Sequence, residues 1–243
     1  MIKIVSCFWN ISPYVKKFIS SIKIQTYKEF EVFLIDDLST DNTVRLIQDL
    51  IKDDNRFKLL QNSEKKYKLK NMDDLIMDDD FIDDDDIIVE LDGDDWFYHE
   101  NVLKIINDKY ENNKNLWLTN GSFIYSDGTM GFSSKVNYKS VRKDNFTFSH
   151  LRTWKAHLWR NIEEDSFLDE NGEYFKSAPD VAYTFPMIEM AGDRHYEYIS
   201  DILVVYNAEN QYNEHKPNSS GGGPQTQLNN AQLIRNKKSY NCL

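Results

Sequence analysis

The sequence predicts an α/β protein, in which helices flank a mostly parallel sheet. In the first half, short runs rich in β-branched and apolar residues alternate with helical patterns, and acidic residues directly follow two of these runs. Alternation at this spacing is typical of parallel strands joined by right-handed helical crossovers. The 243 residues fit one α/β domain of ordinary size, so we expect a single domain.

Four strands and three helices are predicted in the first half. A helix start is indicated by Ser12 and Pro13, a hydroxyl cap followed by proline at the first helical position. Apolar residues at positions 15, 18, 19 and 22 then lie on one helical face. Two more helices are marked by apolar residues at 44, 47 and 51 and at 102, 103 and 106. The strands are 2–7, 31–35, 57–60 and 86–91.

The second half is less regular and gives weaker patterns. We expect strands at 116–120 and 122–125, and a final strand pair at 196–199 and 202–206. A helix is predicted over 179–191, kinked or split at Pro186 because proline removes a helical hydrogen bond. Residues 207–224 have the composition of a flexible loop, and 225–238 form a terminal helix.

Composition and charge exclude several classes of function. A hydrophobic content of 40% and a net charge of −11 indicate a folded, acidic protein. Such a charge disfavours nucleic acids and anionic membrane surfaces, which both attract basic proteins. The sequence has neither an apolar run long enough for a membrane span nor the pattern of a signal peptide at its start. We therefore expect a cytoplasmic protein.

Carboxylates cluster where two predicted strands end. Asp36 and Asp37 follow the second strand, and Asp92-Gly93-Asp94-Asp95 follows the fourth. Ligands of parallel sheets bind beyond the carboxyl ends of the strands, and clustered carboxylates there suit a divalent cation bridged to a diphosphate. In extended backbone Asp92 and Asp94 point the same way, and Gly93 leaves room for a ligand. An ordinary acidic turn has the same composition.

Four segments together resemble the family 2 glycosyltransferases of the GT-A fold: WNISPYVKKFISSIKIQTY, EFEVFLIDDLSTDNT, KKYKLKNMDDLI and IIVELDGDDWF. The resemblance extends over about residues 1–110. It implies one GT-A domain, with a nucleotide-sugar-binding half at 1–110 and an acceptor-side half at 111–206. Residues 207–243 supply the flexible loop and the terminal helix.

The resemblance also implies roles for the strand-end carboxylates. Asp36 and Asp37 correspond to the aspartates that contact the uracil of a UDP-sugar donor. In the Asp-x-Asp motif, Asp92 faces the ribose and Asp94 binds the metal, Mn²⁺ or Mg²⁺.

Further candidates come from the second half. SAPDVAYTFPMIEMAG is similar to the acceptor-side helix of the family and implies that Asp180 is the catalytic base, although proline replaces the usual preceding glutamate. Asp180 could equally cap the helix. His215 is a candidate metal ligand, and Arg235 and Lys237 are candidate diphosphate ligands. Each has a plainer alternative, since loop histidines and charged helix ends are common without any such role. Arg152, Lys155 and Arg160 are candidates for the pocket wall or for solvated helix charges.

The implied reaction is metal-dependent, inverting transfer of a sugar from a nucleotide-sugar to a hydroxyl of a carbohydrate or protein acceptor. A catalytically silent sugar- or nucleotide-binding module is one alternative. A sugar nucleotidylyltransferase is another, but it needs a glycine-rich loop after the first strand, and residues 8–12 contain no glycine. The acidic run before Asp86 is assigned no chemistry.

Overall fold

The computed structural model describes residues 1–213, 216, 219 and 221–243. Within these residues eight strands and seven α-helices form one α/β domain, with a short 3-10 helix at Glu164–Phe167. The strands are β1 (Ile2–Phe8), β2 (Phe30–Asp36), β3 (Phe57–Gln61), β4 (Ile87–Glu90), β5 (Trp96–Phe97), β6 (Leu118–Tyr125), β7 (Arg152–Lys155) and β8 (Tyr196–Tyr206). The helices are α1 (Val15–Lys23), α2 (Thr43–Ile51), α3 (Tyr67–Ile76), α4 (Val102–Asn112), α5 (Ala156–Arg160), α6 (Pro179–Ala191) and α7 (Gly223–Asn236).

One sheet contains the eight strands, in the order β3-β2-β1-β4-β7-β6-β8-β5. The first four strands pair in parallel, and β6 pairs in parallel with β8. The other three pairings are antiparallel, so the mostly parallel α/β sheet is confirmed. Strand order reverses at β1, because β2 and β3 lie on one side of it and β4 on the other. Such a reversal opens a crevice at the carboxyl ends of the two central strands.

The sheet carries a hydrophobic core on each face. Neighbouring residues of one strand point to opposite faces, and accordingly Ile4 belongs to one cluster and Val5 to the other. The first cluster buries the apolar faces of α1, α2 and α4. The second buries α3, α5 and α6, together with the indole rings of Trp154 and Trp159. Helices α3 and α6, which pack in the second cluster, approach the crevice at the end of β4.

The first predicted helix begins later than expected. Its apolar face is confirmed, since Val15, Phe18 and Ile22 are buried. The predicted cap is wrong, because α1 starts at Val15 and Ser12 lies in the preceding turn. There the backbone N–H of Ser12 donates to the Asp41 carboxylate at 3.2 Å, so this segment is fixed to the loop after β2.

The later elements are longer than the sequence indicated. The two strands predicted at 116–125 are one strand, β6, with an irregular register around Gly121. The predicted final strand pair is also one strand, β8. Helix α6 runs through Pro186 without being split. Twelve of its thirteen residues are buried, and tertiary packing of this extent overrides the local cost of proline. Five residues of the predicted loop at 207–224 lie outside the described part of the chain.

Strand β7 was not predicted, although it is central to the sheet. Its sequence, Arg-Thr-Trp-Lys, has no apolar alternation, and its charged residues suggested a helix surface. In the structure it pairs antiparallel with β4 and sets Arg152 directly opposite Glu90. An arginine is stable at such a buried position because a carboxylate accompanies it.

Gly93 connects β4 to the acidic segment in close contact with β1. A side chain there would place its Cβ 2.7 Å from the Cβ of Phe8 and 2.8 Å from the terminal carbon of Ile11. The space on the Cβ side of Gly93 is thus filled by these two residues, while Gly93 itself lines the cavity described below. We expect Gly93→Ala to lower the free energy of unfolding by about 1–3 kcal/mol, as overpacking does. Urea unfolding in EDTA measures this, and wild-type stability would contradict the tight packing.

Candidate active site

A cavity of about 250 Å³ opens at the carboxyl ends of β1 and β4. The predicted carboxylates Asp92 and Asp94 after β4, and Asp180 at the start of α6, contribute to its wall, and so do α3 and the loop before β7. Its polar and aromatic lining includes Cys7, Trp9, Lys68, Asp92, Asp94, His150, Arg152, Asp180, Tyr206, Asn210 and Tyr212. The position agrees with the reversal of strand order, where ligands of open α/β sheets bind.

Glu90, the last residue of β4, lies beneath this cavity and is only 3% exposed. Its carboxylate accepts hydrogen bonds from Arg152 Nε at 2.6 Å and Nη2 at 3.0 Å, and from the Tyr183 hydroxyl at 2.7 Å. The Lys68 ammonium lies 2.6 Å from its other side. Burial favours the neutral acid, but Arg152 and Lys68 outweigh burial and hold the pKa of Glu90 well below its ordinary value.

The same two cations reach two of the candidate carboxylates that line the cavity, Asp92 and Asp180. Lys68 also donates to the Asp92 carboxylate, and Arg152 Nη1 lies 3.8 Å from Asp180. Burial alone would lower the pKa of the Lys68 ammonium, but Asp92 and Glu90 raise it well above its ordinary value. Both lysine and arginine are therefore charged. One buried network thus connects Asp92, at the tip of β4, with Asp180, in the first turn of α6.

Among the described residues, no cation forms an ion pair with Asp94 or Asp95, and burial works against the charged form of both carboxyls. The Asp94 carboxylate accepts a hydrogen bond from Asn210 at 2.7 Å. Burial, and then the charge of Asp92, raise the pKa of Asp94 to about 6. Asp95 accepts the backbone N–H of Asn207 on one oxygen, while the other is buried with no partner among the described residues. Burial and the charge of Asp94 raise the pKa of Asp95 well above its ordinary value.

A divalent cation fits this arrangement. Asp92, Asp95 and His150 bring one ligand atom each within 4.8 Å of one another. Burial, reinforced by the Arg152 charge, lowers the pKa of His150 to about 3, so its imidazole is neutral, as a metal ligand must be. The unpartnered oxygen of Asp95 is the kind of buried polar atom that an ion would satisfy. Carboxylate oxygens with one imidazole suit Mn²⁺ or Mg²⁺.

Asp36 and Asp37, predicted to contact uracil, lie at the end of β2 and do not line the cavity. Asp37 accepts the backbone N–H groups of Lys66 and Tyr67, at the start of α3, and Asp36 accepts that of Ser39. Asp37 meets the cavity wall through Lys65, whose ammonium lies 3.6 Å from its carboxylate and 4.0 Å from the Trp9 ring centre. Contact with uracil stays a prediction.

The structure does not bring Arg235 and Lys237 to the cavity. Arg235 donates to the backbone carbonyl of Arg142 at 2.6 Å, and Lys237 donates to the carbonyl of Asp165 at 2.5 Å. Both side chains join α7 and the residue after it to neighbouring segments, because their charged ends satisfy backbone carbonyls there. Their diphosphate role stays a prediction that this arrangement does not support. His215, the predicted late metal ligand, lies outside the described residues.

Glu90, Lys68, Asp95 and His150 had no predicted role in the site, although the structure places them in or beneath it. Glu90 had a usable signal, since a single glutamate inside an apolar strand needs a buried partner. Lys68 lies in a lysine-rich stretch and His150 in a loop without periodicity, so neither stands out. Of the three basic residues proposed for the pocket wall, Arg152 lines the cavity, while Arg160 binds Asp84 and the backbone carbonyls of Ile76 and Ile82.

Comparison with known proteins finds a family that matches this sequence. The sequence model described as glycosyl transferase family 2 matches residues 3–158. A Haemophilus influenzae protein described as an uncharacterized glycosyltransferase is 36% identical over 69 residues, which are 28% of this chain and 20% of that protein. This chain therefore spans about a fifth of the curated relative's length.

Two solved structures share the fold. One is residues 1–349 of S. aureus TarS in complex with UDP-GlcNAc, with a TM-score of 0.66, 15% identity, and coverage of 86% of this chain and 59% of that one. The other is a mannosyltransferase from Pyrobaculum calidifontis in complex with GDP-Man and Mn²⁺, with a TM-score of 0.55, 16% identity, and coverage of 83% and 54%. At these identities the likeness confirms the predicted fold.

The raised pKa of Asp94 predicts a stability cost in the metal-free protein. Between about pH 3.9, where an unfolded aspartate titrates, and about pH 6, the folded state keeps a proton that the unfolded state releases. Stability therefore falls as pH rises through this window. We expect Asp94→Asn to raise the free energy of unfolding by about 1–3 kcal/mol at pH 8 in EDTA, and the gain to vanish near pH 4.

Chemical denaturation at several pH values measures this effect. Asp201→Asn is the matched control, because Asp201 is exposed and its neutralisation should change little. If Asp94→Asn is no more stable than the wild type at pH 8, the fold does compensate the charge of Asp94 and the prediction is wrong.

Proposed function

The chain belongs to glycosyl transferase family 2, and we propose that it transfers a sugar from a nucleotide-sugar donor to an acceptor hydroxyl in this cavity. The proposal rests on one observation above others, which is that Asp92, Asp94 and Asp180 line the same cavity. These are the carboxylates to which the family resemblance gives donor, metal and base roles. A cavity with surplus carboxylate charge suits a diphosphate only when a metal cation accompanies it.

We propose that Asp92, Asp95 and His150 hold Mn²⁺ or Mg²⁺, which differs from the resemblance, where Asp94 binds the metal and Asp92 faces the ribose. Asp94, which lines the same cavity, is proposed as a further oxygen ligand. When bound, such an ion neutralises charge on the leaving diphosphate as a Lewis acid. Asn210 orients Asp94 through its 2.7 Å hydrogen bond. The neutral imidazole of His150 is packed beside the Tyr206 ring, with ring centres 5.1 Å apart, which fixes its orientation.

Asp180 is the proposed general base. Its side chain is 32% exposed at the cavity, so an acceptor can reach it. Burial raises its pKa, and Arg152 and Lys68 oppose this rise, which leaves a carboxylate able to take a proton. The acceptor oxygen bonds to the anomeric carbon as its proton passes to Asp180. The bond to the diphosphate breaks on the opposite face, with inversion.

We propose a UDP-sugar as the donor, and a carbohydrate or protein hydroxyl as the acceptor. The fold itself accepts different nucleotides, since TarS is solved with UDP-GlcNAc and the mannosyltransferase with GDP-Man. The preference for UDP rests on Asp37, which the resemblance assigns to uracil. Lys65 and the Trp9 ring connect Asp37 with the cavity wall, so a base bound beside Trp9 would lie near it.

Asp180→Asn tests the base. It preserves the shape of the side chain but accepts no proton, so we expect kcat to fall by at least about a hundredfold while donor affinity stays nearly unchanged. The activity of the wild type should decline as pH falls through the raised pKa of Asp180. The assay is transfer and nucleotide release with UDP-, GDP- and CDP-sugars in Mn²⁺.

Two glutamates serve as controls for Asp180. Glu173 pairs with Lys176 at the surface, and Glu189 is buried against Arg142, and neither lines the cavity. Glu173→Gln should therefore keep normal turnover. If Asp180→Asn also turns over normally, the base is misplaced, and donor binding without transfer or hydrolysis in the wild type would indicate a silent binding module.

Nucleotide preference tests the role of Asp37. We expect UDP to bind at least about tenfold more tightly than GDP in Mn²⁺, since a site built to pair with one base leaves polar groups unpaired with another. Asp37→Asn keeps one acceptor oxygen for the N–H groups of Lys66 and Tyr67 that begin α3, and it should shrink this ratio without removing metal dependence. Calorimetry measures both, with exposed Asp53→Asn as the control. Equal affinities in the wild type would refute a uracil-reading pocket.

A further inference from the structure

Lys68 bridges two carboxylates that differ in their need for it. Its ammonium lies 2.6 Å from Glu90 and also donates to Asp92. Glu90 keeps three other hydrogen bonds, two from Arg152 and one from Tyr183. The side chain of Asp92 has Lys68 as its one hydrogen-bond donor within the described part of the chain. Asp92 therefore depends on Lys68 as its counter-ion more than Glu90 does.

Asp92 is also a candidate metal ligand, because its carboxylate oxygen lies close to the ligand atoms of Asp95 and His150. An ammonium and a divalent cation compete for the same carboxylate oxygens, since each neutralises the charge that attracts the other. While Lys68 pairs with Asp92, the cavity attracts a lone metal ion less strongly. A ligand that offers Lys68 another anion would remove this competition.

We propose that Lys68 is a placeholder cation, which neutralises Asp92 in the free protein and turns to the donor diphosphate when the metal takes Asp92. Metal and nucleotide then bind as a pair, and neither is held firmly alone. This inference rests on the proposed function, because it presumes a diphosphate donor with a divalent cation. Lys68 acts here as a binding and positioning residue.

The surroundings of Lys68 suit such an exchange. Its side chain is 20% exposed and lines the cavity together with Asp92, so its ammonium can reach a ligand there. Lysine combines a flexible stem with three rotatable donors. Arg152 is unsuited to the exchange, because it is 3% exposed and held by two hydrogen bonds to Glu90. If Lys68 moves, Arg152 and Tyr183 still satisfy Glu90, and no buried charge is left unpaired.

The test measures Mn²⁺ affinity without nucleotide, by electron paramagnetic resonance of free Mn²⁺, in the wild type and in Lys68→Met. We expect the variant to bind Mn²⁺ alone about tenfold more tightly, because Asp92 has lost its competitor. It should bind UDP about tenfold more weakly at saturating Mn²⁺, because the diphosphate has lost a cation. Lys70→Met is the control, as Lys70 lies on the same helix and pairs with Asp74 at the surface.

Each outcome decides between the two proposals. Mn²⁺ affinity that is unchanged or lower in Lys68→Met, in a protein that still binds UDP with Mn²⁺, overturns the placeholder role alone. A wild type that binds no Mn²⁺ even with UDP present overturns the proposed function as well. Lys68→Gln keeps a donor for Glu90 and is equally neutral, so the same changes in affinity are expected of it should the methionine variant fail to fold.

Discussion

The carboxylate of Glu90 holds together the four elements that make the site. It ends β4 and binds Arg152 of β7, Lys68 of α3 and Tyr183 of α6. Arg152 is the partner on which Glu90 depends most, since both are 3% exposed and removing one side of such a buried pair costs about 3–5 kcal/mol. Through Lys68 and Arg152 it also fixes the charge next to Asp92 and Asp180. The positions of Asp92 and Asp180 therefore depend on the network around Glu90.

At the cavity above this network, carboxylates outnumber the positively charged side chains. Lys68 and Arg152 face five carboxylates, those of Glu90, Asp92, Asp94, Asp95 and Asp180. A cluster of this kind destabilises the fold unless a ligand compensates it, and residues that serve a ligand are commonly less than optimal for stability. The raised pKa values of Asp94 and Asp95 are the physical sign of that cost. A divalent cation carried with a diphosphate would offset it.

The sequence predicted the parallel half of the sheet and the convergence of Asp92 with Asp94, because apolar runs locate strand ends and parallel strands end at one edge. The pattern of residues predicted α6, whose start a proline marks, and the resemblance to the acceptor-side helix of the family singled out Asp180. It did not predict the Glu90 network, which requires knowing that polar β7 pairs with β4. His150 was equally hidden, because the path of the loop before β7 follows from tertiary packing and leaves no periodic pattern.

We propose that the carboxylates at the end of β4 form a metal site shared with a nucleotide diphosphate. A crystal structure with UDP and Mn²⁺, with anomalous scattering recorded at the manganese edge, tests it most directly. We expect one manganese peak in the cavity, in contact with Asp92, Asp95 and His150 on one side and with the diphosphate on the other. UDP bound in the cavity without manganese, or manganese bound away from these residues, would contradict it.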